Sequence, residues 1–136
     1  MTSPVVLQLS GLNVTFPPER GDTQAVRDCT LSVKRGEILG LVGESGSGKS
    51  VTARSCLGLL PEGAQTTGEI TVAGVRIDRA GARDLADVRG KRAAMIFQNP
   101  LKSLNPFFTV GRQMTDVVRT HFRTSAGDAH ERTLHV

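Results

Sequence analysis

Residues Gly43-Glu44-Ser45-Gly46-Ser47-Gly48-Lys49-Ser50 satisfy the pattern G-x-x-x-x-G-K-[ST] at every fixed position, and nothing else in the chain restricts its folding as much. Glycines let the backbone curl so that successive N–H groups point inward at phosphate oxygens, and a following helix adds the partial positive charge of its N-terminus. In such a loop the lysine, Lys49, bridges β- and γ-phosphates, and the hydroxyl of Ser50 completes the coordination of Mg²⁺. A loop of this kind works between a buried strand and a helix. Glu37-Ile38-Leu39-Gly40-Leu41-Val42 is a short apolar run that predicts a strand buried on both faces. Val51, Ala53, Cys56, Leu57, Leu59 and Leu60 follow at helical spacing, predicting a helix from Lys49 to Leu60 that Pro61 stops.

At 136 residues the chain has room for one domain with a core. No stretch approaches the roughly 20 apolar residues that span a bilayer, and Met1 to Ser10 lacks the charged start and long apolar run of a secretory signal, which predicts a cytosolic chain. The net charge of +4 raises the question of nucleic acid. The basic residues are scattered, with short clusters at Lys34-Arg35, Arg89 to Arg92 and Arg119 to Arg123, there is no tyrosine or tryptophan, and no reading module occurs. The balance therefore favours a solvated basic surface, or one that meets anionic headgroups or an acidic partner, and no nucleic acid. Cys29 and Cys56 lack C-x-x-C spacing and read as small buried hydrophobes, and His121, His130 and His135 read as solvated helix residues.

Val5 to Leu9 and Leu12 to Phe16 are strand-like and separated by the turn-forming Ser10-Gly11, with a polar loop over Pro17 to Thr23. Ala25 to Val33 alternates, imperfectly at Cys29, and Lys34-Arg35-Gly36 turns the chain into the run at 37–42. Gly68 to Ala73 and Val75 to Ile77 form a hairpin pattern around Gly74. Asp84 to Arg89 predicts a short polar helix, Arg92 to Phe97 a second core strand, and Asn99 to Phe108 a loop. From Thr109 the period is helical, with Val110, Met114, Val117, Val118 and Phe122 on one face, and a further helical pattern starts at Asp128.

The run Leu41 to Ser50, followed some fifty residues later by Met95-Ile96-Phe97-Gln98-Asn99-Pro100-Leu101-Lys102-Ser103-Leu104-Asn105-Pro106, resembles the ATP-binding subunit of ABC transporters, within them the dipeptide, oligopeptide and nickel importers. The first motif alone identifies a P-loop NTPase; the second, with its F-Q-N-P and S-L-N-P elements, is more specific. The resemblance runs from about Val5 to Val136 and implies an α/β fold of the P-loop NTPase type. In that fold an N-terminal antiparallel β subdomain with the P-loop (1–60) is followed by a hairpin and Q-loop (61–108) with part of a parallel core, and by the start of a helical subdomain (109–136).

By the same resemblance, ATP and Mg²⁺ are the cofactors. Gly43, Glu44, Ser45, Gly46, Ser47, Gly48, Lys49, Ser50 and Val51 hold the nucleotide, Glu44 and Ser45 through their backbone N–H groups only. Ser50 and Gln98 serve the metal, Gln98 also the attacking water, and Phe16 falls where an aromatic residue stacks on adenine. The implied partners are membrane-spanning permease subunits, docked on the surface that starts at Asn99 to Phe108, a second ATP-binding subunit, and indirectly an external solute-binding protein. The implied place is the cytoplasmic face of the plasma membrane, and the implied role is to couple ATP hydrolysis to uptake of peptides or related small solutes. Hydrolysis in the family further uses a Walker B aspartate, an adjacent glutamate, a switch histidine and an L-S-G-G-Q signature, none of which occurs in the 136 residues. The expectation is that the chain is the front part of a longer subunit, binding nucleotide without turning it over. Two alternatives stand beside it: a non-catalytic module that binds nucleotide and a partner, and a small P-loop kinase, which would need an arginine-rich lid.

Overall fold

The computed structural model describes residues 3–17 and 23–135, and the chain divides at Ala94 and Met95 into two units. In the first unit a four-stranded antiparallel sheet runs in the order β2-β1-β3-β4, with β1 Val5–Phe16, β2 Thr23–Lys34, β3 Gln65–Val72 and β4 Val75–Arg76. β1 is central because it pairs with both β2 and β3.

β1 is one strand where the sequence suggests two. The apparent turn at Ser10-Gly11 is a bulge: between Ser10 and Asn13 the strand advances three residues while β3 advances two, from Glu69 to Thr67. Side chains alternate with a period of two, so one extra residue moves the apolar phase from odd to even positions. Leu9, Leu12 and Val14 thereby all face inward, each fully buried, and each such burial stabilises the sheet by about 1.5–3 kcal/mol. The imperfect alternation at Cys29 has the same origin. Between Cys29 and Val26, β2 gains a residue against β1, and Asp28 takes φ +44 there while its N–H donates to Asn13 Oδ1 at 3.0 Å.

The hairpin at Gly74 forms as expected, with Ala73 and Gly74 both at positive φ, and β3 begins three residues earlier than its pattern, at Gln65. Asp78, in the 3₁₀ turn Ile77–Arg79, locks it: Arg76 donates to Asp78 Oδ1 at 2.9 Å and Oδ2 at 2.7 Å, and Ile70 N–H donates to Oδ1 at 3.0 Å. The helix after the glycine loop, α1, spans Lys49–Ser55, shorter than the expected reach to Leu60, because a turn follows in which Gly58 has φ +60. α2 spans Ala82–Val88. Val88, Leu57, Ile70, Val72 and Ile77 join the buried set of this unit.

Two expected core strands do not form. Residues 37–42 carry no strand pairing, and Ile38 and Val42 are 97% and 95% exposed. Residues 92–97 contribute only an isolated bridge, Arg89 to Ala93, and Ile96 is 90% exposed. The expected parallel core is thus absent among the described residues. An apolar run becomes a strand only when another strand offers it a ladder, and no described strand pairs with either run. Of the loop over 17–23, residues 18–22 lie outside the described residues and Thr23 opens β2.

The second unit holds a 3₁₀ turn, Pro100–Ser103, and two helices, α3 Val110–Phe122 and α4 Ala126–Leu134. Thr109 caps α3 by accepting from Arg112 N–H at 3.3 Å, and Ser125 caps α4 by accepting from Asp128 N–H at 3.1 Å. The helices pack on each other through buried Ala129, with the hydroxyls of Thr115 and Thr133 3.5 Å apart. Of the expected apolar face, Met114 and Val118 are half-buried and Val110, Val117 and Phe122 remain exposed.

Candidate glycine-loop site

The glycine loop leaves regular structure after β2 and re-enters it at Lys49. It turns at Ser45-Gly46 and bends at Ser47-Gly48, with Ser47 N–H donating to the Glu44 carbonyl at 3.2 Å. Gly46 and Gly48 adopt φ +83 and +84, a region L side chains rarely enter. Gly48 is also buried: a Cβ there would run into the carbonyl oxygen of Ala25 on β2 and lie 3.3 Å from Val26 Cγ2. The Gly48 carbonyl in turn accepts from Thr52 N–H at 2.8 Å and Thr52 Oγ1 at 3.0 Å, which ties the loop to the first turn of α1.

The curled loop closes on Lys49. Its ammonium donates to the carbonyls of Gly43 at 2.7 Å and Glu44 at 2.6 Å and to Ser47 Oγ at 3.1 Å. The cation thus sits on the loop's own oxygens, held by partners that a phosphate would outcompete in charge. Glu44, Ser45 and Ser50 are exposed, and Val51 is half-buried behind them.

Two hollows adjoin the loop. A cradle of about 150 Å³ is lined by Ala25, Gly46, Ser47, Gly48, Lys49, Ser50 and Val51. Beside it lies an open cavity of about 480 Å³, walled by residues 41–43 and parts of the loop on one side and by Gln24, Ala25, Val26, Arg27 and Cys29 of β2 on the other. The charged residues lining the two are Lys49 and Arg27, with no carboxylate among them, a balance suited to an anion. Arg27 is steadied by donating to Gln24 Oε1 at 3.0 Å. The contribution of β2 was invisible in the sequence, where Gln24, Ala25 and Arg27 are ordinary members of an alternating strand; only the packing of α1 on β2 brings them to the loop.

Phe16 stands half-buried at the end of β1, paired with Thr23, and is not among the residues lining the cradle. Gln98 belongs to the other unit, exposed on a bend just before the 3₁₀ turn. Cys56 closes α1, where its Sγ donates to the Thr52 carbonyl at 3.3 Å and burial pushes its pKa up to about 11, so it packs as a neutral thiol.

In the second unit the loop before α3 is built around Gln113. Its amide donates to the carbonyls of Asn105 at 3.1 Å and Phe108 at 2.9 Å while its Oε1 accepts from Asn105 N–H at 2.9 Å. Arg112 stacks 4.2 Å over the Phe108 ring. Leu101, Phe107 and Val110 are more than half exposed nearby, and an apolar groove of about 430 Å³ runs between Leu104 and the Met114, Val117 and Val118 face of α3.

Comparison with known proteins agrees on one family. The family model described as ABC transporter matches residues 26–135. The chain is similar to a probable D,D-dipeptide transport ATP-binding protein, DdpD, of Escherichia coli K12, at 44% identity over 98% of this chain and 41% of that protein. It is also similar to the oligopeptide transport ATP-binding protein OppD of Salmonella typhimurium, at 41% identity over 96% of this chain and 39% of that protein. The chain therefore spans about two fifths of the length of these relatives. Among solved structures, the ATP-binding cassette MJ0796, a dimer in a post-hydrolysis state bound to ADP and Pi, shares the fold with a TM-score of 0.79, at 22% identity over 95% of this chain and 54% of that one.

Proposed function

The chain belongs to the ABC transporter family, and from that premise we propose that it is the nucleotide-binding part of an importer's ATP-binding subunit, with Gly43 to Val51 holding the phosphates of ATP. The observation that carries this reading is the Lys49 ammonium seated on Gly43, Glu44 and Ser47 inside a carboxylate-free cradle. Arrival of a polyphosphate lets the ammonium exchange those three uncharged acceptors for anionic oxygens, and the N–H groups of the loop supply further donors.

The residues fit a magnesium nucleotide. Among the described residues no three acidic, histidine or cysteine side chains gather as a metal cage, and Ser50 presents an exposed hydroxyl beside Lys49. That donor set suits Mg²⁺, which takes most of its ligands from phosphate and water, whereas a dedicated protein cage would need more carboxylates. Ser50 would hold Mg²⁺ and Gln98 would assist from its loop, and the ion would supply neutralisation of phosphate charge. Phe16 would offer a stacking face to adenine.

For the whole subunit, the reading extends to ATP hydrolysis coupled to uptake of peptides or related small solutes, pairing with a second ATP-binding subunit, and docking on membrane-spanning permease subunits at the cytoplasmic face of the membrane. The names of the relatives, transport ATP-binding proteins for D,D-dipeptides and oligopeptides, support it. The exposed Leu101, Phe107 and Val110 are the side chains that would meet a permease. No helix among the described residues is long and apolar enough to cross a membrane.

The test is calorimetric titration with MgATP of the chain and of Lys49→Ala. Binding that weakens at least tenfold in the variant is the expected result. Equal binding by both, or binding by neither, overturns the reading.

A further inference from the structure

The far end of α1 is held as deliberately as its near end. Arg89, the residue that closes α2, reaches across 31 and 32 residues of sequence to the turn that ends α1, where its Nε donates to the Leu57 carbonyl at 2.8 Å and its Nη2 to the Gly58 carbonyl at 2.7 Å. These carbonyls belong to the turn that follows α1, two and three residues past Ser55, while the helix carbonyls of Thr52, Arg54 and Ser55 accept from the N–H groups of Cys56, Leu57 and Gly58. A guanidinium reaches both turn carbonyls with one planar fork, which a lysine cannot reproduce.

The fit is close. A Cβ on Gly58 would lie 3.2 Å from Arg89 Nη2 and 3.2 Å from Leu85 Cδ2, so the turn rests directly on α2. Arg89 is itself anchored by its N–H to the Leu85 carbonyl at 2.9 Å and by the bridge to Ala93. Its neighbours Lys91 and Arg92 pair with Asp87 at 3.4 and 2.6 Å, which leaves the Arg89 head with the two carbonyls.

We propose that Arg89 is a positioning residue for the glycine loop: by clamping the turn that ends α1 it fixes the axis of the helix whose first residues are Lys49 and Ser50. α1 has only seven residues, too few to be stable alone, so its direction depends on what grips its two ends. One grip is the close approach of Gly48 to Ala25, and the other is Arg89. Releasing the second lets the helix tilt about the first, which displaces the Lys49 ammonium and the loop N–H groups from the arrangement a phosphate needs. The inference rests on the nucleotide reading above.

The experiment measures MgATP affinity of the unmodified chain, Arg89→Ala, Arg89→Lys and Lys49→Ala at a temperature well below each melting point. Amide exchange over 50–57 is followed in parallel. The expected result is a roughly tenfold weaker affinity for Arg89→Ala, with partial recovery in Arg89→Lys and faster exchange across α1. A residue that only stabilised the fold would lower the melting point and leave the affinity of the folded molecules unchanged; that outcome, beside normal binding by the unmodified chain, overturns this inference alone. No binding by the unmodified chain overturns the nucleotide reading and this inference with it. Should Arg89→Ala fail to fold, Arg89→Lys decides, since unchanged affinity and unchanged exchange in that variant count against the proposal.

Discussion

The Ala25 carbonyl oxygen and the Cα of Gly48 meet so closely that no side chain fits between them, although the two residues lie on different elements and 23 positions apart. Gly48 thus has two independent reasons to be glycine, this approach and its φ of +84. Gly48→Ala is expected to lower the melting temperature by several degrees and to abolish detectable MgATP binding, because the loop must move off β2 to admit the methyl group. Thermal denaturation and titration of one sample check both; a variant that binds and melts normally would show that the contact is dispensable.

The Arg76–Asp78 pair gives the first unit a pH dependence. The Arg76 guanidinium hydrogen-bonded to Asp78, assisted by the Ile70 N–H, holds the carboxyl at about 2, below its ordinary 3.8. A carboxyl depressed in the folded chain stabilises it fully above its unfolded value, and that contribution disappears as pH falls from about 4 to about 2. Asp78→Asn should therefore destabilise the chain by about 1–3 kcal/mol at pH 7 and by much less at pH 2. Urea melts of both proteins at the two pH values measure it, and an equal difference at both would count against the pair.

Leu12 is fully buried next to the bulge that keeps it on the inner face. Leu12→Ala removes that burial and leaves a cavity, for an expected loss of about 2–5 kcal/mol. Val5→Ala, on the same strand but 48% exposed, should cost far less. Comparable losses in the two variants would contradict the inward phase assigned to residues 9, 12 and 14.

Gln113 holds the loop before α3 with three hydrogen bonds, and Asn105 N–H has Gln113 Oε1 as its acceptor. Gln113→Ala should raise amide exchange at Asn105 by an order of magnitude or more while leaving the helicity of α3 nearly unchanged, since Thr109 still caps it. Site-resolved hydrogen exchange distinguishes this from a general loosening, in which α3 and α4 would exchange faster as well.

Much was legible because its causes are local. The eight-residue loop, the hairpin at Gly74, the polar helix expected at Asp84 to Arg89 and formed over Ala82–Val88, and the two C-terminal helices all rest on residues within a few positions of each other: glycines at positive φ, caps at Thr109 and Ser125, apolar residues three and four apart. The family resemblance was likewise carried by contiguous motifs, and the match over residues 26–135 agrees with it. The misread elements share a different cause. Ser10-Gly11 has the composition of a turn and forms a bulge, because pairing to β3 on one side and β2 on the other keeps the strand going through it.

The sequence by itself determined that a glycine loop with Lys49 and Ser50 opens a helix, the feature on which the proposed phosphate site rests, because that geometry is written in consecutive backbone angles and side chains. Only the tertiary structure decided which strand walls the loop and what grips the two ends of α1. It also decided that the apolar runs 37–42 and 92–97 form no strand among the described residues. The reason is physical: a strand ladder and a helix brace are contacts between residues distant in the chain, Ala25 with Gly48 and Arg89 with Leu57, whose partners no local pattern specifies.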